Sequence, residues 1–526
     1  MTRTQSEPRR AGILVPLFSV PSSRSWGIGE IGDIAPLARW LETAGQRFVQ
    51  LLPINELPPH ERSPYSALSA MAIDPQFITM AAVEDVDAVG GEEALGRDQR
   101  RRLDKVRSSP FVDYDVVRAL KNTALRRAFA HFRDREWRSG TRRASAFRTY
   151  METEGWWLDD YALYRALKAS HGERAWVDWP EPLRRRQPEA LERASAELAD
   201  DILYRKYLQW IAGDQWGEAR DRAAGVALFG DLPFMVSGDS ADVWARQDEF
   251  RMDCSVGVPP DAFSDTGQDW ALPTYRWDVI AGTNFAWMRQ RARRMAALYD
   301  SVRIDHLVGF YRTFGRTAAG HAFFNPDDEP TQTWQGEQIL RIFLESGAEV
   351  LAEDLGTVPD FVRASMARLG VPGCKVLRWE RHYHSHDRAF VDPATFPAVS
   401  VAMTGTHDTE TLAAWWDHAS DDERRAFLAV PSPREIEIDD VHASWSDALR
   451  DQILDVAYRA GSDHLFLPLQ DVFGWRDRIN TPATIDDSNW TWRLPWPVDT
   501  LTHVPAAAER AAVCRAMAVS SGRATR

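Results

Sequence analysis

The sequence predicts a (β/α)8 barrel, an α/β TIM barrel with helical subdomains inserted in the β-to-α loops, on three observations. Eight short apolar, β-branched runs are spread along 526 residues. Helical patterns lie between most of them. Several runs end in an acidic or polar group, at the strand ends where barrels of this kind carry their chemistry.

In chain order the runs are Gly12–Val20, Phe48–Ile54, Val226–Leu232, Ser301–Asp305, Glu349–Leu355, Lys375–Trp379, Val399–Thr404 and His464–Leu469. Each is apolar throughout rather than alternating, which suits strands buried on both faces of a parallel sheet. After the first run, Asp33 is placed to cap a helix carrying Ala35, Leu37, Ala38 and Leu41. Leu340, Phe343 and Leu344 form an apolar stripe ahead of the fifth run. The connections are uneven. Val116, Leu120 and Ala124, then Leu191, Ala194, Leu198 and Ile202, recur at helical spacing after the second run. We therefore expect one catalytic barrel domain over 1–526, with a mainly helical insertion at 55–225 and a long cleft-covering loop insertion at 233–299. The latter is read as a loop because Gly, Pro, Asp and Trp crowd it.

Composition narrows the class of function. Hydrophobic residues make up 44% and charged residues 27%, as in an ordinary globular protein. The formal charge of −14 disfavours nucleic acid and anionic membrane as partners. The basic run Leu183–Gln187 is too short to alter that, and reads as a solvated loop or helix end. Cys254, Cys374 and Cys514 form no CxxC pair, so a disulfide framework or zinc ribbon is not expected and a cytoplasmic, reducing location is. No run is long and apolar enough to span a membrane. The 22 tryptophans fit either core packing or stacking on sugar rings.

The strand ends carry the candidate chemistry. The third run ends in Asp231, the fourth in Arg303, Asp305 and His306, the fifth in Glu353 and Asp354, and the seventh leads to His407 and Asp408. Arg303 and Asp305 share a face because side chains alternate along a strand. A guanidinium there is expected to lower the Asp305 pKa and keep it charged. Of Glu353 and Asp354 only one enters the site, and the longer Glu353 reaches a leaving-group oxygen better. Crowding by Asp305 and Asp408 is expected to raise the Glu353 pKa. One charged and one protonated carboxyl are the inventory of retaining glycoside cleavage, at a separation of about 5–5.5 Å. His306 and His407 are candidate hydroxyl donors, and Asp408 a candidate for ring distortion and charge stabilisation. The plainer readings are an ordinary ion pair, or carboxylates holding Mg²⁺ or Ca²⁺. Metal is disfavoured because Arg303 already supplies positive charge. His382, His384 and His386, at alternate positions, raise a metal as well, with a solvated loop as the plainer alternative.

From near Gly12 to about Pro495 the chain resembles the amylomaltases, or 4-α-glucanotransferases, of glycoside hydrolase family 77 in the α-amylase superfamily. The motifs that carry this are GILVPLFSVPSSRSWGIGEIGD, QLLPINELPP, SPYSALSAMAIDP, GDLPFMVSGDSADVW, GVPPDAFSDTGQDWALPTYRW, VRIDHLVGFYR, LAEDLG, GCKVLRWE, TGTHDTETL and RINTPATIDDSNWTWRLP. The resemblance implies a (β/α)8 barrel with inserted helical subdomains and no cofactor or metal. It implies Asp305 as nucleophile, Glu353 as acid/base and Asp408 as transition-state stabiliser, with Arg303 and His407 beside them. By the same resemblance Tyr65, Asp231 and Asn480 line the donor sugar site, and Gln268 and Trp270 lie on the loop that covers the cleft. The bland alternatives are packing for Tyr65, loop capping for Asp231 and a turn for Asn480. Trp26, Trp490 and Trp492 stay open between sugar platform and core. The segment between Asn55 and Ser63 holds no aromatic residue, which disfavours a secondary glucan site there, and no N-terminal β-sandwich is expected. The partners implied are α-1,4-glucans and maltooligosaccharides, with glucose as an acceptor and a monomer favoured. A plain α-glucan hydrolase and an inactive glucan-binding protein are the competing readings.

Overall fold

The computed structural model describes residues 9–223, 225–260, 267–383, 388–437, 441–482, 484 and 486–525. A closed barrel of eight parallel strands forms its centre. These are β1 (Arg10–Leu14), β2 (Phe48–Gln50), β3 (Ala227–Leu232), β4 (Ser301–Ile304), β5 (Glu349–Ala352), β6 (Gly373–Val376), β7 (Ser400–Met403) and β8 (His464–Pro468). Neighbours in sequence are neighbours in the barrel, and β8 closes on β1 with His464 opposite Arg10.

Every run read from the sequence overlaps a strand, but each strand is shorter than its run, and β1 and β6 begin two residues ahead of theirs. Pro16, at φ −64°, follows β1 and turns the chain into the 3-10 turn Leu17–Ser19. The sixth strand begins at Gly373, ahead of Lys375. A glycine is required there, since a Cβ would lie 2.6 Å from Asp354 Oδ1, which accepts a hydrogen bond from the Cys374 N–H at 2.7 Å.

The barrel interior is filled in layers. At the base, Arg10 of β1 reaches across to Glu349 of β5 at 2.7 Å, and His464 Nε2 of β8 lies 3.1 Å from the same carboxylate. Burial works against that charge, yet His464 and Arg10 hold Glu349 down to about 2. Above them the rings of Phe48, Phe229 and Phe466 meet, with centroids 4.4–5.7 Å apart. Their strands β3 and β8 are not neighbours, so this contact also runs through the lumen.

The helix Ile34–Thr43 follows β1 with Asp33 at its start. Asp33 does not cap it as expected. Its carboxylate accepts from Ser25 Oγ at 2.6 Å and Glu30 N at 2.7 Å, because a 3-10 turn, Ile31–Asp33, intervenes. Between β2 and β3 lie the long helices Tyr114–Phe132, Arg142–Ser170 and Ala199–Arg222. The stripe Leu191, Ala194, Leu198 and Ile202 is divided between two helices, since Leu198, at φ −105° and ψ 17°, breaks the chain between them. In the helix Glu329–Leu344, Leu340 and Phe343 are buried while Leu344, at the last turn, is exposed.

The segment between β3 and β4 is not a loop throughout. Strands Phe250–Val258 and Gln268–Tyr275 pair antiparallel there, and with Thr313–Thr317 and Ala322–Asn325 they make a four-stranded sheet outside the barrel. Its two register shifts, between Arg251 and Ser255 and between Val256 and Gly257, interrupt the alternation that marks a strand in sequence. Of the clustered histidines, His382 is exposed, while His384 and His386 lie outside the described residues. In the basic run, Arg186 pairs with Asp160 at 2.6 Å and its guanidinium lies 4.2 Å from the Trp244 ring centroid. Among the described residues no helix is long and apolar enough to cross a membrane.

The closeness of β1 and β2 makes a test of barrel packing. A Cβ on Gly12 would stand 2.0 Å from the Phe48 ring and 2.4 Å from its carbonyl oxygen. Gly12→Ala is expected to destabilise the fold by about 1–3 kcal/mol or more, seen as a lower denaturation midpoint. An unchanged midpoint would mean that the two strands have slack that this packing denies.

Candidate functional site

The predicted residues gather at the C-terminal mouth of the barrel, around one guanidinium. Arg303 Nη1 contacts Asp231 Oδ1 at 2.6 Å, and its Nη2 contacts Asp305 Oδ1 at 2.8 Å. The pairing of β3 with β4 sets Asp231 directly opposite Arg303, and alternation puts Asp305 on the same face. Burial disfavours the Arg303 charge, but Asp231 and Asp305 outweigh it and hold its pKa well above the usual value.

Asp305 and Glu353 follow the paired residues Ile304 and Ala352 on adjacent strands β4 and β5. Glu353 is gripped by backbone. The His306 N–H donates to Oε2 and the Leu355 N–H to Oε1, both at 2.8 Å. Asp354 turns the other way, accepting from Cys374 N–H and facing Arg363 Nε at 3.6 Å, so only Glu353 of the two faces the mouth.

The proton affinities depart from expectation at one point. Arg303 does pull the Asp305 pKa down, but burial outweighs it and Asp231 adds to the upward push, so the carboxyl is raised to about 6. Glu353 is raised further, to about 7, chiefly by burial, with Asp305 adding to it against Arg303 and the two backbone N–H groups. Burial, more than the crowding of carboxylates, lifts both. The order of the pair is as expected: Asp305 ionises before Glu353.

Asp408 is the opposite case. Burial would raise it, but His407, at 3.3 Å, and Asn480, donating Nδ2–H at 2.6 Å, hold it at about 2. His407 is raised in turn, since Asp408 overcomes its burial. Tyr65 hands its single hydroxyl proton to Asp231 at 2.6 Å, and His407 Nε2 lies 3.0 Å from the same oxygen. The imidazole must therefore carry a proton on Nε2 and donate it. The Tyr65 and His407 rings stack with centroids 5.5 Å apart.

Trp270 reaches the site through His306, their rings edge to face at 4.9 Å. Gln268 is exposed and accepts from Trp270 Nε1 at 3.0 Å. Trp26, Trp490 and Trp492 are buried. Trp490 backs the site, against Tyr65 and His407. Arg478 escaped the sequence reading. It donates to the backbone oxygens of Asp408 at 2.9 Å and Asn480 at 3.2 Å, tying two site loops together.

A closed parallel barrel with carboxyls of adjacent strands meeting at its mouth has the form of the barrel proteins that act on glycosidic bonds. Comparison with known proteins is more specific. The profile of a family described as 4-alpha-glucanotransferase matches residues 15–500, and the chain belongs to that family. It is 34% identical over 515 residues to a 4-alpha-glucanotransferase of Thermus thermophilus, covering 93% of this chain and 95% of that one. It is 32% identical over 495 residues to one of Chlamydia pneumoniae, covering 92% and 91%. Among solved structures, the amylomaltase of Streptococcus agalactiae in complex with acarbose superposes with a TM-score of 0.81 at 24% identity, over 98% of this chain and 100% of that one. The amylomaltase of Corynebacterium glutamicum gives 0.78 at 20% identity, over 96% and 75%.

Removing the central guanidinium should expose how much depends on it. Arg303→Ala leaves Asp231 and Asp305 facing each other without a counter-ion, and breaking a buried pair in this way costs about 3–5 kcal/mol. The expected result is a lower thermal midpoint together with loss of activity. A variant as stable as the parent would show that the two carboxyls do not rely on Arg303.

Proposed function

We propose that the protein is a 4-α-glucanotransferase that cuts an α-1,4-glucan and passes the cut segment to the 4-hydroxyl of another glucan, or of glucose, by double displacement. The observation that carries this reading is the pair Asp305 and Glu353, at matching register on adjacent strands and with split proton affinities. Neighbouring strands lie about 4.7–4.9 Å apart, which suits the separation of about 5–5.5 Å that a retaining mechanism needs. Asp305 attacks the anomeric carbon while Glu353 protonates the bridging oxygen, and the reducing-side fragment leaves. Glu353, now ionised, takes the proton of the incoming hydroxyl, which displaces Asp305. Two inversions preserve the α configuration. Asp408, kept ionised by His407 and Asn480, stabilises positive charge on the sugar. Tyr65, Asp231, Arg303 and His407 hold the donor sugar. Trp270, supported by Gln268, shields the reacting centre so that a sugar rather than water completes the cycle. Three buried free thiols suit a reducing, cytoplasmic setting.

Two tests follow. Incubated with maltotriose alone, the protein is expected to give glucose together with oligomers longer than the donor, and Asp305→Asn to lower that rate by a factor on the order of 10⁴ or more. Products no longer than the donor would favour a hydrolase, and equal ladders from both proteins would remove Asp305 from its role. The rate requires Asp305 ionised and Glu353 protonated. It should therefore rise as pH passes about 6 and fall as pH passes about 7, giving a narrow bell. A profile flat from pH 5 to 8 would contradict this division of roles.

A further inference from the structure

His306 stands in a backbone conformation that its residue type disfavours. Its φ is +45°, in the left-handed region that a non-glycine residue occupies at a cost of about 1–2 kcal/mol. Such strain persists only where the surroundings impose it, and here they are specific. The imidazole is held by Trp270 at 4.9 Å and Phe234 at 5.2 Å between ring centroids, and burial brings its pKa down to about 4, so the ring is neutral. The same turn is tied into the ends of the barrel strands. Asp305 N–H donates to Leu232 O at 3.0 Å, Glu353 N–H to Ile304 O at 2.9 Å, and Leu307 N–H to Glu353 O at 3.2 Å. Between those anchors, the left-handed residue turns its own N–H out of the ladder and onto Glu353 Oε2 at 2.8 Å.

We propose that His306 is a positioning residue whose left-handed backbone, held by Trp270 and Phe234, presents the N–H that sets the proton affinity of Glu353. The inference rests on the reading of Glu353 as acid/base and assigns a structural origin to its tuning. A backbone donor on a carboxylate oxygen favours the ionised form. Burial and Asp305 push Glu353 up, while the His306 and Leu355 N–H groups, together with Arg303, bring it back toward neutrality. That balance lets one group give a proton in the first step and take one in the second. Because Trp270 touches the ring of the residue that makes the bond, the wall of the cleft and the proton affinity of the acid are joined through one side chain.

The test separates backbone from side chain. His306→Gly removes the imidazole but adopts a positive φ freely, His306→Ala adopts it with difficulty, and a β-branched residue in His306→Val resists it most. All three remove the ring, so loss of a sugar contact by the imidazole lowers the rate alike in each. The readout is the alkaline limb of the pH–rate profile for glucan transfer, which reports Glu353 losing its proton. We expect the limb of His306→Gly to stay within about 0.3 pH units of the parent, and that of His306→Val to move up by about 1 unit, with His306→Ala between. Trp270→Ala should move the limb in the same direction as His306→Val. Equal limbs in the glycine and valine variants would overturn the proposal, whatever the change in rate. Failure of the underlying reading looks different. There Glu353→Gln would keep its activity, or the parent itself would show no alkaline limb.

Discussion

A single guanidinium decides what the mouth of this barrel can be. Four carboxyls and a protonatable histidine converge there, and Arg303 is the cation to which two of the carboxyls are bound. It does not make Asp305 a strong acid. Burial wins that contest, and the effect of Arg303 is to keep the climb of the Asp305 and Glu353 pKa values moderate, so that the first proton leaves near pH 6 and the second near pH 7. Two carboxyls whose environments set their proton affinities apart around neutral pH differ from a permanently charged pair in what they can exchange there.

The rest of the mouth is divided by the same logic. Asp408 has its own cation in His407 and its own amide in Asn480, which hold it at about 2 while burial lifts Asp305 and Glu353. Asp231 takes the Tyr65 hydroxyl and one arm of Arg303. Asp354 is withdrawn behind Gly373, where a backbone N–H and Arg363 receive it. Five acidic side chains of one residue class thus acquire different duties from their neighbours alone.

Much of this was legible in the sequence, because strands buried on both faces leave a plain apolar signature and their ends leave a polar one. The runs containing β3, β4 and β5 by themselves place Asp231, Arg303, Asp305 and Glu353 at one mouth. Alternation alone foretold the contact of Arg303 with Asp305. What stayed hidden has physical causes. The outcome of burial against a neighbouring charge depends on how much solvent reaches Asp305, which no motif encodes. The strands Phe250–Val258 and Gln268–Tyr275 were masked by bulges and by the turn-forming residues between them. The left-handed turn at His306 is invisible because positive φ is uncommon for any residue but glycine, and a single histidine does not announce it. The break at Leu198 is a tertiary choice made against a favourable helical pattern.

Trp270 stands in a bulge between Asp269 and Leu272, which pair with Gly257 and Val256 of the strand Phe250–Val258, itself bonded to Thr313–Thr317. A ring fixed between those pairs and packed against Phe234 and His306 has little conformational freedom left to lose. The ordering of that wall was completed when the chain folded, so each encounter with a ligand begins from a surface already arranged. Affinity for a long, pliable polymer can then reflect the contacts made along it, with little deduction for stiffening the protein that makes them.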